Sequence, residues 1–267
     1  MLTARLPIAA ALLLFASDAH AAASDWYHVE GGSVRVVTTG MPDEQGLVRG
    51  ALEIRLKPGW KTYWRDPGSS GVPPALDVSV GDEKAAVDID FPAPSRFDDG
   101  YGPWAGYDEP VALALTFRLP PGVEAKAHVA ASAFLGVCET ICIPVQAQLE
   151  LDPYEDTQNP EHAAVVAAAF AALPGPARPG FGAHAQDVED GAILVETQLP
   201  PGVEALDLFV AGSDTVMFGT PERIAGSSGS ARFRIPVLQG TEESSGQEFS
   251  YTLATGSGAV TGALRLP

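Results

Sequence analysis

The chain has 267 residues, a formal net charge of −18 at pH 7 and two cysteines. A surface with this excess of acidic groups repels nucleic acid and anionic lipid, which argues against both as partners. Two cysteines are too few for a small disulfide-stapled scaffold, and a chain of this length can bury a hydrophobic core without one.

Residues 1–22 have the features of a secretory signal peptide. Arg5 is followed by an apolar run from Leu6 to Ala16 and then by small residues around Ala19-His20-Ala21. The run is shorter than the about 20 residues that span a bilayer, and no later stretch approaches that length. We therefore predict cleavage near Ala21 to Ala23, export of the mature chain and no membrane insertion.

The first half of the chain is predicted to be β-structure. The whole sequence contains 28 Gly and 23 Pro, which fit frequent turns between short alternating runs. These runs predict a sandwich of antiparallel sheets over residues 24–155. The predicted strands are SVRVVTT (33–39), LVRGALEIRL (47–56), AVDIDF (86–91), VALALTFRL (111–119), EAKAHVAAS (124–132) and VQAQLEL (145–151).

A single segment is predicted to be helical. Asn159 is a favourable N-cap, Pro160 suits the first helical position, and Pro174-Gly175-Pro176 ends the Ala-rich run. We assign residues 156–180 to this helix and a linker. Residues 181–267 then return to short strand-like runs, so the expected fold is all-β, with two tandem sandwiches joined by a helical linker. The later predicted strands are GAILVETQL, EALDLFVAG, TVMFGT, ARFRIPVL, EFSYTLATG and AVTGALRL.

The two cysteines lie in the segment GVCETIC, with Cys138 and Cys142 four positions apart. On a straight strand their Cα atoms would be about 13 Å apart, whereas a disulfide requires about 4.4 to 6.8 Å. If they bond, the chain must reverse between them. Residues 139–141 then form either a tight turn joining two strands or one helical turn.

Three functions are open for this pair. A five-residue loop removes unfolded-state entropy worth about 2 kcal/mol, against about 4.7 kcal/mol for a 100-residue loop, so a structural staple here stabilises poorly. A short loop that keeps both sulfurs together suits reversible thiol exchange. Two close thiolates also suit Cu(I), although the histidines are scattered and no other ligand is predicted.

The segment GWKTYWRDPGSSG (59–71) contains closely spaced aromatic residues. Trp60, Tyr63 and Trp64 are predicted to be core residues rather than a ligand groove, because alternating aromatic residues on a strand usually face the interior.

Three segments resemble the N-terminal periplasmic domain of the DsbD and ScsB thiol:disulfide interchange proteins, especially its ScsB-like branch. The resemblance covers about residues 30–151, and in that branch a second sandwich follows. The segments are FLGVCETICIPVQAQLEL (134–151), GWKTYWRDPGSSGVPPALDVS (59–79) and FPAPSRFDDGYGPWAGYDEPVAL (91–113).

The resemblance implies immunoglobulin-like sandwiches in the periplasm and a cysteine pair that cycles between dithiol and disulfide without a cofactor or metal. By position, Cys142 would form the mixed disulfide with partners and Cys138 would resolve it. The loop FDDGYGPW would cap the pair, with Asp98 and Asp99 handling protons and Tyr101 or Trp104 acting as a lid. Such groups suit the chemistry, since the attacking species is a thiolate.

The sequence thus predicts periplasmic thiol-disulfide exchange with thioredoxin-fold proteins. Because no membrane segment or thioredoxin-like domain is apparent in the sequence, the expected electron donor is a separate membrane disulfide reductase. The alternatives are a non-enzymatic binding or adaptor module with a structural disulfide, and a Cu(I)-handling protein.

Overall fold

The structure is a computed structural model. It describes residues 22–39, 42–68, 71–98, 100, 102–118, 128–152, 159–227, 229–240 and 246–266. Nearly all of the predicted signal peptide lies outside these residues. Ala22 and Ala23, next to the predicted cleavage site, pair with Thr38 and Val37.

Twelve strands between residues 22 and 151 form one hydrogen-bonded network. Its continuous order is β1-β3-β4-β10-β7-β6-β11-β5-β9-β8, with β2 paired to β3 and β12 paired to β11. The strands are β1 (Ala22–Ala23), β2 (Tyr27–Val29), β3 (Gly32–Thr38), β4 (Leu47–Leu56), β5 (Lys61–Tyr63), β6 (Ala75–Val80), β7 (Glu83–Asp90), β8 (Ser95–Asp98), β9 (Pro103–Tyr107), β10 (Val111–Arg118), β11 (Val129–Cys138) and β12 (Cys142–Leu151).

Strand β7 connects two parts of this network. Residues 83–85 pair with β6, and residues 86–90 pair with β10. Alternate side chains of strands in both parts share one hydrophobic core, as strand geometry requires of a sheet with one buried face. In β12, for example, Val145, Ala147 and Leu149 are buried while Gln146 and Gln148 are exposed.

The predicted helix is present as α1 (Pro160–Ala171). The Oδ1 atom of Asn159 accepts a hydrogen bond from the backbone N–H of Glu161 at 2.9 Å, which caps the first turn. Val166 and Ala169 are buried against residues of β3, β4 and β10. The helix therefore covers an outer face of the first network.

Within the described part of the chain, no helix is long and apolar enough to cross a membrane.

The remaining strands form two smaller sheets around a second core. One has the order β13-β21-β20-β16, and the other has the order β14-β15-β19-β17 with β18 paired to β19. The strands are β13 (Gly175–Pro176), β14 (Gly182–Glu189), β15 (Ala192–Gln198), β16 (Ala205–Val210), β17 (Met217–Phe218), β18 (Glu222–Ser227), β19 (Ser230–Gln239), β20 (Glu248–Thr255) and β21 (Gly258–Arg265). The prediction of a mostly β chain is confirmed.

Specific contacts join the first β region (residues 22–151) to the second (residues 175–265). Arg96 of β8 donates to both carboxylate oxygens of Asp207 at 2.8 and 3.1 Å. The N–H of Gly212 donates to Asp66 at 2.7 Å. The side chain of Phe209 belongs to the first core. The second region is thus attached beside the strand that leads into the predicted cap loop.

Candidate redox site

The cysteines close the hairpin between β11 and β12. Cys138 pairs directly with Cys142, and residues 139–141 form the connecting loop. The N–H of Glu139 donates to the carbonyl oxygen of Ile141 at 3.2 Å. The two Cα atoms are 4.1 Å apart, and the sulfurs form a disulfide. The chain reversal that the spacing requires is therefore a turn between strands, not a helical turn.

The two sulfur-bearing residues differ in exposure. Cys138 is only 5% exposed and belongs to a small buried cluster with Tyr63 and Trp104. Cys142 is exposed to solvent. An incoming nucleophile therefore reaches Cys142 far more easily than its partner.

Tyr63 places its hydroxyl beside both sulfur atoms. The oxygen lies 2.9 Å from Sγ of Cys142 and 3.1 Å from Sγ of Cys138. Disulfide sulfurs carry no hydrogen, so in this state the hydroxyl is the donor. The same hydroxyl can stabilise a thiolate when the bond opens. Sequence reasoning missed this role, because it treated Tyr63 only as a core aromatic residue.

Local packing holds the Tyr63 ring under the hairpin. Thr62 pairs with Val137 across β5 and β11, and its hydroxyl donates to the carbonyl oxygen of Gly136 at 2.8 Å. A Cβ atom on Gly136 would lie 3.0 Å from the Tyr63 ring. Glycine at position 136 therefore gives the ring the room to approach the hairpin backbone.

The predicted cap corresponds to the hairpin of β8 and β9. Trp104 stacks on Phe97 with ring centroids 4.6 Å apart, and it meets the Tyr63 ring edge-on at 5.1 Å. The ammonium of Lys61 lies 5.4 and 5.5 Å from the Phe97 and Trp104 centroids. These aromatic residues form a layer beside the buried sulfur of Cys138.

The acidic residues of the predicted cap are placed differently. Asp98 is exposed, and its carboxylate accepts a hydrogen bond from the N–H of Gly100 at 2.9 Å, so it stabilises the local turn. Its side chain does not line the cleft at the disulfide. Asp99 and Tyr101 lie outside the described residues. The structure therefore brings Trp104 to the cysteine pair and leaves Asp98 at the end of β8.

A buried tyrosine anchors the end of the cap hairpin. The hydroxyl of Tyr107 donates to the carbonyl oxygen of Pro92 at 2.9 Å. Burial raises the pKa of Tyr107, and the nearby Arg65 guanidinium opposes that shift only partly. Burial lowers the pKa of Arg65 itself, against the opposing influence of Asp90 and Tyr107. Tyr107 therefore stays protonated and keeps its hydrogen bond across the range of ordinary pH.

An open cleft of about 780 Å³ lies over the disulfide. The first β region contributes the cysteine hairpin, Tyr63 and Trp104 to its lining. The second region contributes Phe218, Gly219, Thr220 and Leu238. No sequence motif indicated this second wall, because it depends on contacts between segments about 75 to 175 residues apart in the chain. Within the described ranges, no group of three or more His, Cys, Asp or Glu side chains could hold a metal ion.

The disulfide hairpin lies within a β region of the chain that matches a known family. Residues 35–153 match the family described as "Thiol:disulfide interchange protein DsbD, N-terminal". The match covers the part of the chain in which the sequence resembles this domain.

The chain is also similar to a solved structure of a periplasmic domain. The crystal structure of the N-terminal periplasmic domain of ScsB from Proteus mirabilis superposes with a TM-score of 0.75 at 21% sequence identity. The match covers 94% of this chain and 100% of that one. At this identity the likeness concerns the fold, and it extends beyond residues 35–153 into the second β region. A comparison with curated proteins found no significant match.

Proposed function

We propose that this protein carries out thiol-disulfide exchange in the periplasm, passing electrons between a membrane or thioredoxin-like donor and thioredoxin-fold acceptors through Cys138 and Cys142. The observation that carries the proposal is a disulfide in an open cleft between an exposed residue, Cys142, and a buried one, Cys138, with both sulfurs beside the Tyr63 hydroxyl. A purely structural bridge needs neither the cleft nor the asymmetry.

The proposed reduction begins with a thiolate of the donor, which attacks Sγ of Cys142. The bond between Cys142 and Cys138 breaks, and its electron pair stays on Sγ of Cys138 as a thiolate. The Tyr63 hydroxyl donates a hydrogen bond to that thiolate, which then takes a proton from solvent. The second thiolate of the donor attacks the mixed disulfide, releases Cys142 as a thiolate and leaves the donor oxidised.

Delivery of the electrons follows the same chemistry in reverse. The Cys142 thiolate attacks the disulfide of a thioredoxin-fold acceptor and forms a mixed disulfide. Cys138 then attacks Cys142, which restores the internal disulfide and leaves the acceptor as a dithiol. In this scheme Cys142 meets the partner and Cys138 resolves the complex, as their exposures suggest.

The cap hairpin has a protective role in the proposal. Trp104 shields the buried sulfur from stray thiols and oxidants, supported by its contacts with Tyr63 and Phe97. Asp98, Asp99 and Tyr101 complete the proposed cap. Because Asp98 does not line the cleft, the acidic pair handles protons through solvent and not by direct contact with the sulfurs.

The proposed organisation assigns each segment a part. Residues 1–22 are a signal peptide, and residues 24–155 are the redox sandwich. Residues 156–180 are the helix and linker, and residues 181–267 are a second immunoglobulin-like sandwich. The second hydrophobic core, whose members all lie between residues 177 and 266, supports this division.

The experiment compares two single-cysteine variants, Cys138→Ser and Cys142→Ser. Each remaining thiol first reacts with 5,5′-dithiobis(2-nitrobenzoate), which leaves a mixed disulfide between the protein and thionitrobenzoate. This activated variant is then mixed with a thioredoxin that keeps only its exposed active-site cysteine. We expect Cys138→Ser to form the mixed disulfide at least tenfold faster than Cys142→Ser, because Cys142 is exposed. Release of thionitrobenzoate and mass spectrometry measure the reaction, and the double variant is the control.

Two other outcomes would redirect the proposal. If neither variant forms a mixed disulfide with thioredoxin, the pair is a structural bridge in a binding module. If both react at the same rate, exchange stands but the assigned order of the cysteines is wrong.

A further inference from the structure

The wall of the cleft opposite the cysteines belongs to the second β region. Phe218 is fixed there by an edge-on contact with Phe249 at 4.9 Å. The N–H of Gly219 donates to the carbonyl oxygen of Pro236 at 2.7 Å, which holds the segment after β17 against β19. The wall therefore belongs to the packed and hydrogen-bonded structure of the second β region.

This wall carries no charge, although the chain as a whole has a formal net charge of −18. Its residues at the cleft are Phe218, Gly219, Thr220 and Leu238. Leu238 is 59% exposed at the rim, and Ile141 at the tip of the cysteine hairpin is 71% exposed. Ile141 is not part of the cleft lining but lies in the loop between the two cysteines. Exposed apolar side chains at a cleft and beside it are typical of a surface that binds another protein.

The position of the wall is tied to the cap hairpin. Arg96 of β8 holds Asp207 of β16 and also donates to the carbonyl oxygen of Leu208 at 3.0 Å. Its guanidinium lies 4.6 Å from the Phe209 ring centroid. These contacts hold the second β region against β8, the strand that enters the cap loop beside the disulfide.

We propose that the second β region is half of the docking site for the exchange partner. Phe218, Thr220 and Leu238 form an uncharged wall whose most exposed apolar side chain is Leu238. The cysteine-bearing loop of a thioredoxin-fold protein packs on this wall while its thiolate reaches Cys142. The inference rests on the proposed function. A partner that exchanges with the disulfide in this cleft must carry a thiol. A protein whose thiol lies among apolar residues fits the uncharged wall better than glutathione, which is small and charged.

Leu238→Glu tests this wall without disturbing a core, because the side chain is exposed. Its matched control is Leu206→Glu, since Leu206 is 65% exposed in the same region and does not line the cleft. The full chain in its disulfide form is reduced either by thioredoxin or by dithiothreitol. Rapid acid quenching, alkylation and mass spectrometry give the rate constants.

We expect Leu238→Glu to lower the rate constant with reduced thioredoxin at least tenfold and to leave the rate with dithiothreitol within twofold of wild type. Leu238→Met should retain the wild-type rate with thioredoxin, because it keeps an apolar surface, and Leu206→Glu should do the same.

Three results would overturn the inference. If Leu238→Glu reacts with thioredoxin as fast as wild type, the wall takes no part in docking. If it slows both reductants equally, the substitution acts on the disulfide and not on the partner. If wild-type protein is reduced by thioredoxin no faster than by dithiothreitol, the proposed function fails and the docking site fails with it.

Discussion

The Tyr63 hydroxyl lies within hydrogen-bonding distance of both cysteine sulfurs. In the proposed reduction a thiolate forms on Cys138, and a hydrogen bond to a charged group contributes about 1.5 to 3 kcal/mol. Since about 1.4 kcal/mol corresponds to a tenfold change in rate, we expect the hydroxyl to increase the rate of exchange about tenfold.

We predict that Tyr63→Phe slows reduction of the disulfide by thioredoxin about tenfold and lowers the free energy of unfolding by less than about 1.5 kcal/mol, because the ring and its contact with Trp104 remain. Quenched-flow alkylation and urea unfolding measure the two effects. Tyr27→Phe is the control, since Tyr27 is 40% exposed on β2. An unchanged rate in Tyr63→Phe would remove the hydroxyl from the mechanism.

Sequence reasoning found the cysteine pair but not its environment. The spacing of Cys138 and Cys142 alone required a reversal, because strand geometry separates residues four apart by too great a distance for a bond. Tyr63 lies beside the cysteines because β5 pairs with β11, where Thr62 pairs with Val137, 75 positions farther along the chain. A local pattern contains no information about that pairing.

At the level of elements, alternation predicted most long strands well. The predicted strand over residues 47–56 matches β4, and the one over 111–119 matches β10 to within a residue. Short strands without alternation, such as β5, β8 and β9, were missed because their neighbours in the sheet, not their own periodicity, define them. Part of the predicted strand over residues 124–132 lies outside the described residues.

Helix α1 was predicted from its cap and its flanking prolines, but its packing was not. Its sequence is Ala-rich on every side, so no pronounced apolar stripe indicated which face is buried. The structure buries Val166 and Ala169 against the outer face of β3, β4 and β10. The helix therefore contributes to the stability of the first region as well as connecting it to the second.

We predict that Val166→Ala lowers the free energy of unfolding by about 2 kcal/mol, because it removes two buried methyl groups and leaves a cavity. Val165→Ala is a matched control on the same helix, since Val165 is only partly buried, and its effect should be less than half as large. Urea unfolding followed by circular dichroism measures both. Equal effects of the two substitutions would contradict the observed docking face.

At the scale of the whole molecule, the ion pair between Arg96 and Asp207 couples the two β regions. Both side chains are largely buried, with 22% and 24% of their surfaces exposed. Loss of the Asp207 charge would leave the guanidinium with one fewer charged partner at the interface. Because both side chains remain partly exposed to solvent, the loss of stability is moderate.

We predict that Asp207→Asn lowers the free energy of unfolding by about 1 kcal/mol and increases amide hydrogen exchange in β8 and β16. Asp77→Asn on the exposed face of β6 changes the net charge equally and should have no such effect. Mass spectrometry of exchanged peptides distinguishes the two variants. Unchanged amide hydrogen exchange in β8 would show that the ion pair does not hold β8 to the second β region.

The sequence by itself determined the features that depend on local spacing and periodicity. These are the mostly β character, the capped helix and the necessary reversal between the cysteines. The tertiary structure alone decided that Cys138 is buried while Cys142 is exposed, that Tyr63 lies beside both, and that Leu238 lines the cleft. The physical reason is that exposure and proximity arise from contacts between distant segments, which burial of two hydrophobic cores brings together.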